Sequence, residues 1–227
     1  MKYKYLLFDA DDTLLDFRSA EKNAFYNLLM LKGLEPSPLL YDSYSKINVS
    51  VWKSFEKGEI EKDEIGVTRY REFLEKNNLP FDAEDFDLTY HKALLTQGQI
   101  IKGADEVCAR LVSLGYSINV VTNGFTDAQK SRFSVSGLCR YIDRFFISES
   151  IGARKPEKAF FDAVFNEIGS KNKSEYLIIG DSLTSDIYGG YVSGIDTCWY
   201  NPDKKKISGS VLPLYEIDSL DKLFEII

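Results

Sequence analysis

A short apolar and aromatic run, Tyr3 to Phe8, ends abruptly in Asp9-Ala10-Asp11-Asp12-Thr13. The run reads as a buried strand. Packing alone does not end a buried strand in three carboxylates within four positions, because desolvated like charges repel. Two readings fit the stretch by itself. In one, a hard cation such as Mg²⁺ sits among the carboxylates. In the other, the segment is a solvated turn whose aspartates cap the next element.

A chain of 227 residues allows one large domain, or a core with a smaller insert. The net charge of −7 argues against long nucleic acid, which is held by basic patches. Lys204-Lys205-Lys206 follows Asn201-Pro202 and reads as a solvated loop. No stretch is apolar for long enough to span a membrane, and the first residues lack a secretory leader, so a cytoplasmic location is expected. Cys108, Cys139 and Cys198 lack C-x-x-C spacing and read as reduced, small core hydrophobes. His91 is the sole histidine, in a polar helical pattern, and reads as a surface residue. That scarcity weakens serine and cysteine triads, histidine-rich zinc sites and HExxH proteases.

From Phe17 to Gln99 four helical patterns follow one another with no strand between them. They cover about 19–32, with Ser19 as its cap, then 38–57, 62–76 and 83–95. After Gln99 the pattern alternates. Helices are expected at 104–114, 126–135, 156–168 and 184–192, and from Ser219 onward. Strands are expected at 117–121, 145–147, 176–179, 196–200 and 215–217. Strands alternating with helices mean an α/β fold, a Rossmann-like parallel sheet with helices on both faces. The first strand belongs to that sheet. The expected core is therefore 1–16 with 100–227, and 17–99 is an inserted helical domain.

Ligands of open α/β sheets bind at the carboxyl ends of the strands. The residues there are Asp9, Asp11 and Thr13, then Thr122-Asn123-Gly124, then Lys155 before Pro156, then Gly180-Asp181 with Asp186 beyond. Each group has an ordinary explanation as a turn, a loop cation or a helix cap. Together they supply a nucleophile, a proton donor, anion binders and metal ligands, which suits phosphoryl transfer.

In order and spacing, Asp9-x-Asp11-x-Thr13, Thr122, Lys155 and Gly180-Asp181-x4-Asp186 resemble the four motifs of the haloacid dehalogenase superfamily, across nearly the whole chain. The helical insert resembles that superfamily's type 1 cap. The resemblance implies that Asp9 is a nucleophile forming an aspartyl-phosphate. It implies that Asp11 protonates the leaving alkoxide and then activates water, and that Thr122 and Lys155 hold the phosphoryl oxygens. Mg²⁺, for which Mn²⁺ can stand in, would be bound by Asp9, the Asp11 carbonyl and Asp181. Asp186 would order its water shell, and Thr13 would fix the loop. An aspartate at position 11 favours a phosphomonoester over a halide or a phosphonate.

Asp12-Thr13-Leu14-Leu15-Asp16-Phe17, Asn48 with Trp52, Thr122-Asn123-Gly124-Phe125-Thr126 and Thr197-Cys198-Trp199 resemble bacterial house-cleaning pyrimidine 5′-nucleotidases. The implied substrate is a small phosphorylated one, a nucleoside monophosphate. Asn123 and Gly124 would serve it, and the protein would be a monomer or weak homodimer. Asn48 and Trp52 lie four apart on one helical face, where they either contact the base or pack the insert. The runner-up is a phosphoglycolate or sugar-phosphate phosphatase. A non-catalytic phospho-acceptor or binding module is the alternative from another class. A receiver module would be about half as long, and an idle descendant would not need the full acidic set.

Overall fold

The computed structural model describes residues 2–207 and 211–227. Six strands form one parallel sheet: β1 (Tyr5–Phe8), β2 (Ser117–Thr122), β3 (Arg144–Ile147), β4 (Tyr176–Gly180), β5 (Asp196–Tyr200) and β6 (Tyr215–Ile217), in the order β3-β2-β1-β4-β5-β6. β1 lies inside the sheet, with Phe8 in register with Val120 on one side and Ile179 on the other. The order of the strands reverses at β1, so its carboxyl end is the crevice where ligands collect in such sheets.

Alternation along the strands divides the core in two. Leu6, Phe8, Ile118 and Val120 pack with Val107, Cys108 and Leu111 of a helix at Ala104–Ser113. Leu7, Val121 and Ile178 pack with Phe160, Phe161 and Val164 of a helix at Lys158–Ile168. Leu6, Leu7 and Phe8 are wholly buried. Each such side chain contributes about 1.5–3 kcal/mol of transfer free energy.

The helices are α1 (Phe17–Leu31), α2 (Pro38–Glu56), α3 (Glu64–Lys76), α4 (Ala83–Leu94), α5 (Ala104–Ser113), α6 (Thr126–Ser136), α7 (Ser148–Ile151), α8 (Lys158–Ile168) and α9 (Tyr188–Ser193). Four local expectations are corrected. α1 opens at Phe17, directly after Asp16 N–H pairs with the Gln99 carbonyl at 3.0 Å, so Ser19 lies inside the first turn. The helix expected at 184–192 begins as a π turn, Leu183–Ile187, before α9. There Asp186 and Ile187 both donate to the Ser182 carbonyl, and the wider turn accommodates the buried Asp186. The closing helix is a 3₁₀ turn, Leu220–Glu225, in which Leu220 and Leu223 are buried at the three-residue spacing that suits it. Cys139 is exposed rather than in the core, because it sits on the turn Leu138–Tyr141.

The chain divides into two compact units, residues 1–17 with 98–227, and residues 18–97. Within the second unit, Tyr44 stacks on Phe25 at 4.4 Å and on Tyr70 at 5.4 Å. Beside these rings runs a polar chain, buried except at Asp87, with one member from each of α1 to α4. Asn48 donates to Glu21 at 2.6 Å, and Arg69 donates to Asn48 at 3.1 Å and to Asp87 at 2.8 Å. Among the described residues no helix is long and apolar enough to cross a membrane.

Candidate active site

β1 delivers Asp9 to the carboxyl edge of the sheet, where its N–H donates to the Ile179 carbonyl at 2.8 Å. The chain then turns sharply. Leu14 and Leu15 N–H groups donate to the Ala10 carbonyl, at 3.0 and 2.8 Å, and Asp12 N–H donates to the Leu15 carbonyl at 2.7 Å. Asp12 takes a positive φ of 56°, a conformation that aspartate tolerates better than most residues. The backbone closes this loop. Thr13 is buried, and its hydroxyl has no hydrogen-bond partner.

Three carboxylates meet behind the turn. Oxygens of Asp9, Asp181 and Asp186 all lie within 4.8 Å of one another. Lys155 is 2 % exposed. Its Nζ donates to Asp9 Oδ1 at 2.6 Å, Asp186 Oδ1 at 2.6 Å and the Val121 carbonyl at 2.8 Å. One ammonium thus offsets part of a buried negative cluster. Burial works to lower the Lys155 ammonium, and the carboxylates of Asp186 and Asp9 outweigh it, so it is held above its ordinary value. Burial raises the Asp9 carboxyl. Lys155 opposes that rise, and Asp186, Asp181 and Asp11 add to it. Burial, with Asp186 and Asp12 nearby, pushes Asp181 up to about 7. Carboxylates that are difficult to ionise together fit a divalent cation, and an all-oxygen donor set fits a hard one such as Mg²⁺.

The supporting loops are tied tightly. Asn123 Nδ2 donates to the Lys155 carbonyl and Lys155 N–H donates to Asn123 Oδ1, both at 2.9 Å. The loops carrying Thr122 and Lys155 are therefore clamped together by Asn123. Thr122 Oγ1 accepts from Gly124 N–H at 3.0 Å. Asp186 Oδ2 accepts from Ser182 N–H at 3.1 Å. Gly180 is needed there, since a Cβ on it would lie 2.2 Å from that oxygen. Trp199, on β5, donates its indole N–H to the Asp181 carbonyl at 2.8 Å.

Asp11 is gripped from α6. Arg132 Nη1 donates to Oδ1 at 2.5 Å and Gln129 Nε2 to Oδ2 at 2.6 Å. Sequence reading missed Gln129, Arg132 and the role of Trp199. No periodic signal marks the first two: the buried face of α6 is Ala128, Gln129, Arg132 and Phe133, and with two of those four polar, apolar periodicity does not single that face out.

In the helical unit, Asn48 is 2 % exposed, and its amide is engaged by Glu21 and Arg69. Trp52 is half-buried, edge-on to Phe55 at 5.8 Å.

The sequence profile described as haloacid dehalogenase-like hydrolase matches residues 3–194. The putative HAD-hydrolase YfnB of Bacillus subtilis is 37 % identical over 226 residues, covering 100 % of this chain and 96 % of that protein. Its magnesium-bound crystal structure superposes with a TM-score of 0.94 at 36 % identity, covering 100 % of this chain and 99 % of that one. The pyrimidine 5′-nucleotidase PynA of Streptococcus pneumoniae is 37 % identical over 99 % of this chain and 95 % of its own length. The pyrimidine 5′-nucleotidase YjjG of Escherichia coli is 28 % identical over 100 % of this chain and 99 % of its own length.

Proposed function

The chain belongs to the haloacid dehalogenase-like hydrolases, and on that footing we propose that it is a Mg²⁺-dependent phosphomonoesterase acting on pyrimidine nucleoside monophosphates. The observation that carries the phosphatase reading is the Lys155 ammonium bridging Asp9 and Asp186 beside Asp181. Asp9 attacks phosphorus. A bond forms from its free carboxylate oxygen to phosphorus as the ester P–O bond breaks, and the alkoxide takes a proton from Asp11. Asp11 then accepts a proton from water as the water oxygen attacks the aspartyl-phosphate, which frees Asp9 and inorganic phosphate. Thr122 holds a non-bridging oxygen with its hydroxyl, Lys155 holds another by exchanging its hydrogen bond to Asp9 for one to the phosphoryl group, and Asn123 keeps their two loops in register. Asp9, the Asp11 carbonyl and Asp181 would hold Mg²⁺, which when bound would neutralise charge on the phosphoryl group.

The nucleotidase reading is supported by the similarity to two proteins named pyrimidine 5′-nucleotidases. The decisive assay is phosphate release from dUMP, dTMP, UMP, purine monophosphates and phosphoglycolate, with and without EDTA. Pyrimidine monophosphates should be turned over fastest, with activity lost in EDTA. A preference for phosphoglycolate would reject the nucleotidase reading, and full activity without metal would reject the mechanism. Nucleoside selectivity we assign to the helical unit, through Trp52. A stacked base contributes about 1–3 kcal/mol, so Trp52→Ala should raise KM for dUMP by about tenfold or more and leave p-nitrophenyl phosphate unaffected.

A further inference from the structure

α6 carries two buried polar side chains with no part in the chemistry above. Gln129 is 2 % exposed and Arg132 is 1 % exposed. Three residues apart, they share a helix face, and each donates to a different oxygen of Asp11. We propose that Gln129 and Arg132 are positioning residues that hold the Asp11 carboxylate for proton exchange with the leaving group. The proposal rests on the phosphomonoesterase reading and deepens it.

Arg132 is not placed for stability. Its Nε and Nη2 have no hydrogen-bond partner, and the ring of Phe17 lies 5.3 Å from the guanidinium carbon. A buried cation with one of its three nitrogens engaged is a net cost to folding. An apolar side chain of similar length would fill the place more favourably. What the arginine supplies is a charge-assisted donor fixed against Asp11 Oδ1. Gln129 has a similar profile. Its Oε1 has no partner, while its Nε2 reaches both Asp11 Oδ2 and, at 3.3 Å, Thr122 Oγ1. One amide therefore links the proposed acid/base to a proposed phosphate ligand.

The backbone makes room for this arrangement. A Cβ at position 124 would lie 2.3 Å from Gln129 Nε2 and 2.9 Å from its Cγ. Glycine at the motif's third position thus opens the path by which Gln129 reaches Asp11. Asp11 itself lies within the tight turn closed by Leu14 and Leu15 on the Ala10 carbonyl, with its side chain 29 % exposed. A carboxylate there would otherwise sample several rotamers, and proton transfer needs the acid within a few tenths of an ångström of its productive place.

The leaving group separates positioning from mere folding. A nucleoside alkoxide needs a proton as it departs, whereas p-nitrophenolate leaves without one. Single-turnover rates isolate this first step from hydrolysis of the aspartyl-phosphate. The test uses the full-length protein with Mg²⁺ and the variants Gln129→Met, Arg132→Met and Arg132→Lys. Nucleoside release from dUMP should fall on the order of 10²-fold in the methionine variants, and the nitrophenolate rate, which feels only the loss of the contact to Thr122, about tenfold less than that or smaller still. Arg132→Lys, which keeps a charged donor, should recover part of the dUMP rate. Gln129→Met carries the test by itself should Arg132→Met fail to fold. Equal losses on both esters, or no loss on either, would overturn the proposal. Wild-type protein inert toward both esters would overturn the phosphomonoesterase reading beneath it.

Discussion

Position 180 shows how much one missing atom can decide. A Cβ there would come within 2.2 Å of Asp186 Oδ2 and 2.3 Å of its Cγ, and Asp186 is wholly buried and bonded to Lys155 and Ser182. The aspartate has nowhere to retreat, so Gly180→Ala should displace it and, with it, the Lys155 ammonium. The strand tolerates alanine, so the fold should survive. Activity and Mg²⁺ affinity should each drop on the order of 10–100-fold, as when groups supporting metal ligands are removed. Isothermal titration of Mg²⁺ into the variant reads this without any substrate, and wild-type affinity would contradict it.

At the scale of elements, α1 to α4 are joined by more than apolar faces. Glu21, Asn48, Arg69 and Asp87 supply one polar group from each helix, and all but Asp87 are buried. Burial raises the Glu21 carboxyl, opposed by hydrogen bonds from Tyr41 and Asn48 and by the charge of Arg69. Arg69→Met would leave Asp87 without its ion-pair partner and Glu21 buried without the charge that steadies it across Asn48, a loss on the order of 3 kcal/mol. The sign with pH follows. A folded-state carboxyl held above its unfolded value is destabilising once it must ionise. The loss should therefore grow as pH rises, and be larger at pH 8 than at pH 5. Urea denaturation of wild type and variant at the two pH values checks it.

At the scale of the molecule, the helical unit enters and leaves the sheet unit at one place. Leu15 and Ile100 form an antiparallel bridge, Asp16 N–H pairs with the Gln99 carbonyl, and Ile101 N–H donates to the Leu14 carbonyl at 2.9 Å. Closing so short a gap costs little chain entropy. Deleting residues 18–97 and joining the ends through a short Gly-Ser linker should leave a core that unfolds cooperatively and binds Mg²⁺. A molten product would count against the independence of the two units. The acidic cluster makes a second prediction for the whole protein. Asp181, raised from 3.8 to about 7 by burial and then by Asp186 and Asp12, binds more protons folded than unfolded. Metal-free stability should therefore fall as pH rises through that window. Mg²⁺ needs the ionised carboxylates, so its stabilising shift in Tm should be larger at pH 7.5 than at pH 5.5. Equal shifts at both would contradict the assignment of the site.

Local patterns determined much by themselves. The run Tyr3–Phe8 ending in aspartates, the alternation of β-branched strands with helical periods after Gln99, and the unbroken helical stretch before it are properties of neighbouring residues, so the parallel α/β core with a helical insert was legible. So was the gathering of Asp9, Asp11, Thr122, Lys155, Asp181 and Asp186, because a parallel sheet brings the ends of its strands to one edge whatever lies between them. Tertiary structure decided what depends on partners distant in sequence. Gln129 and Arg132 look like an ordinary polar helix face until α6 is packed, when they point inward to an aspartate more than a hundred residues earlier. Asn48 looks like a free amide until Glu21 and Arg69 close around it. The Trp199 indole gains its acceptor when β5 lies beside β4. The physical reason is common to all three. Apolar periodicity records which face is buried, but a hydrogen bond between distant residues leaves no periodic trace in either of them.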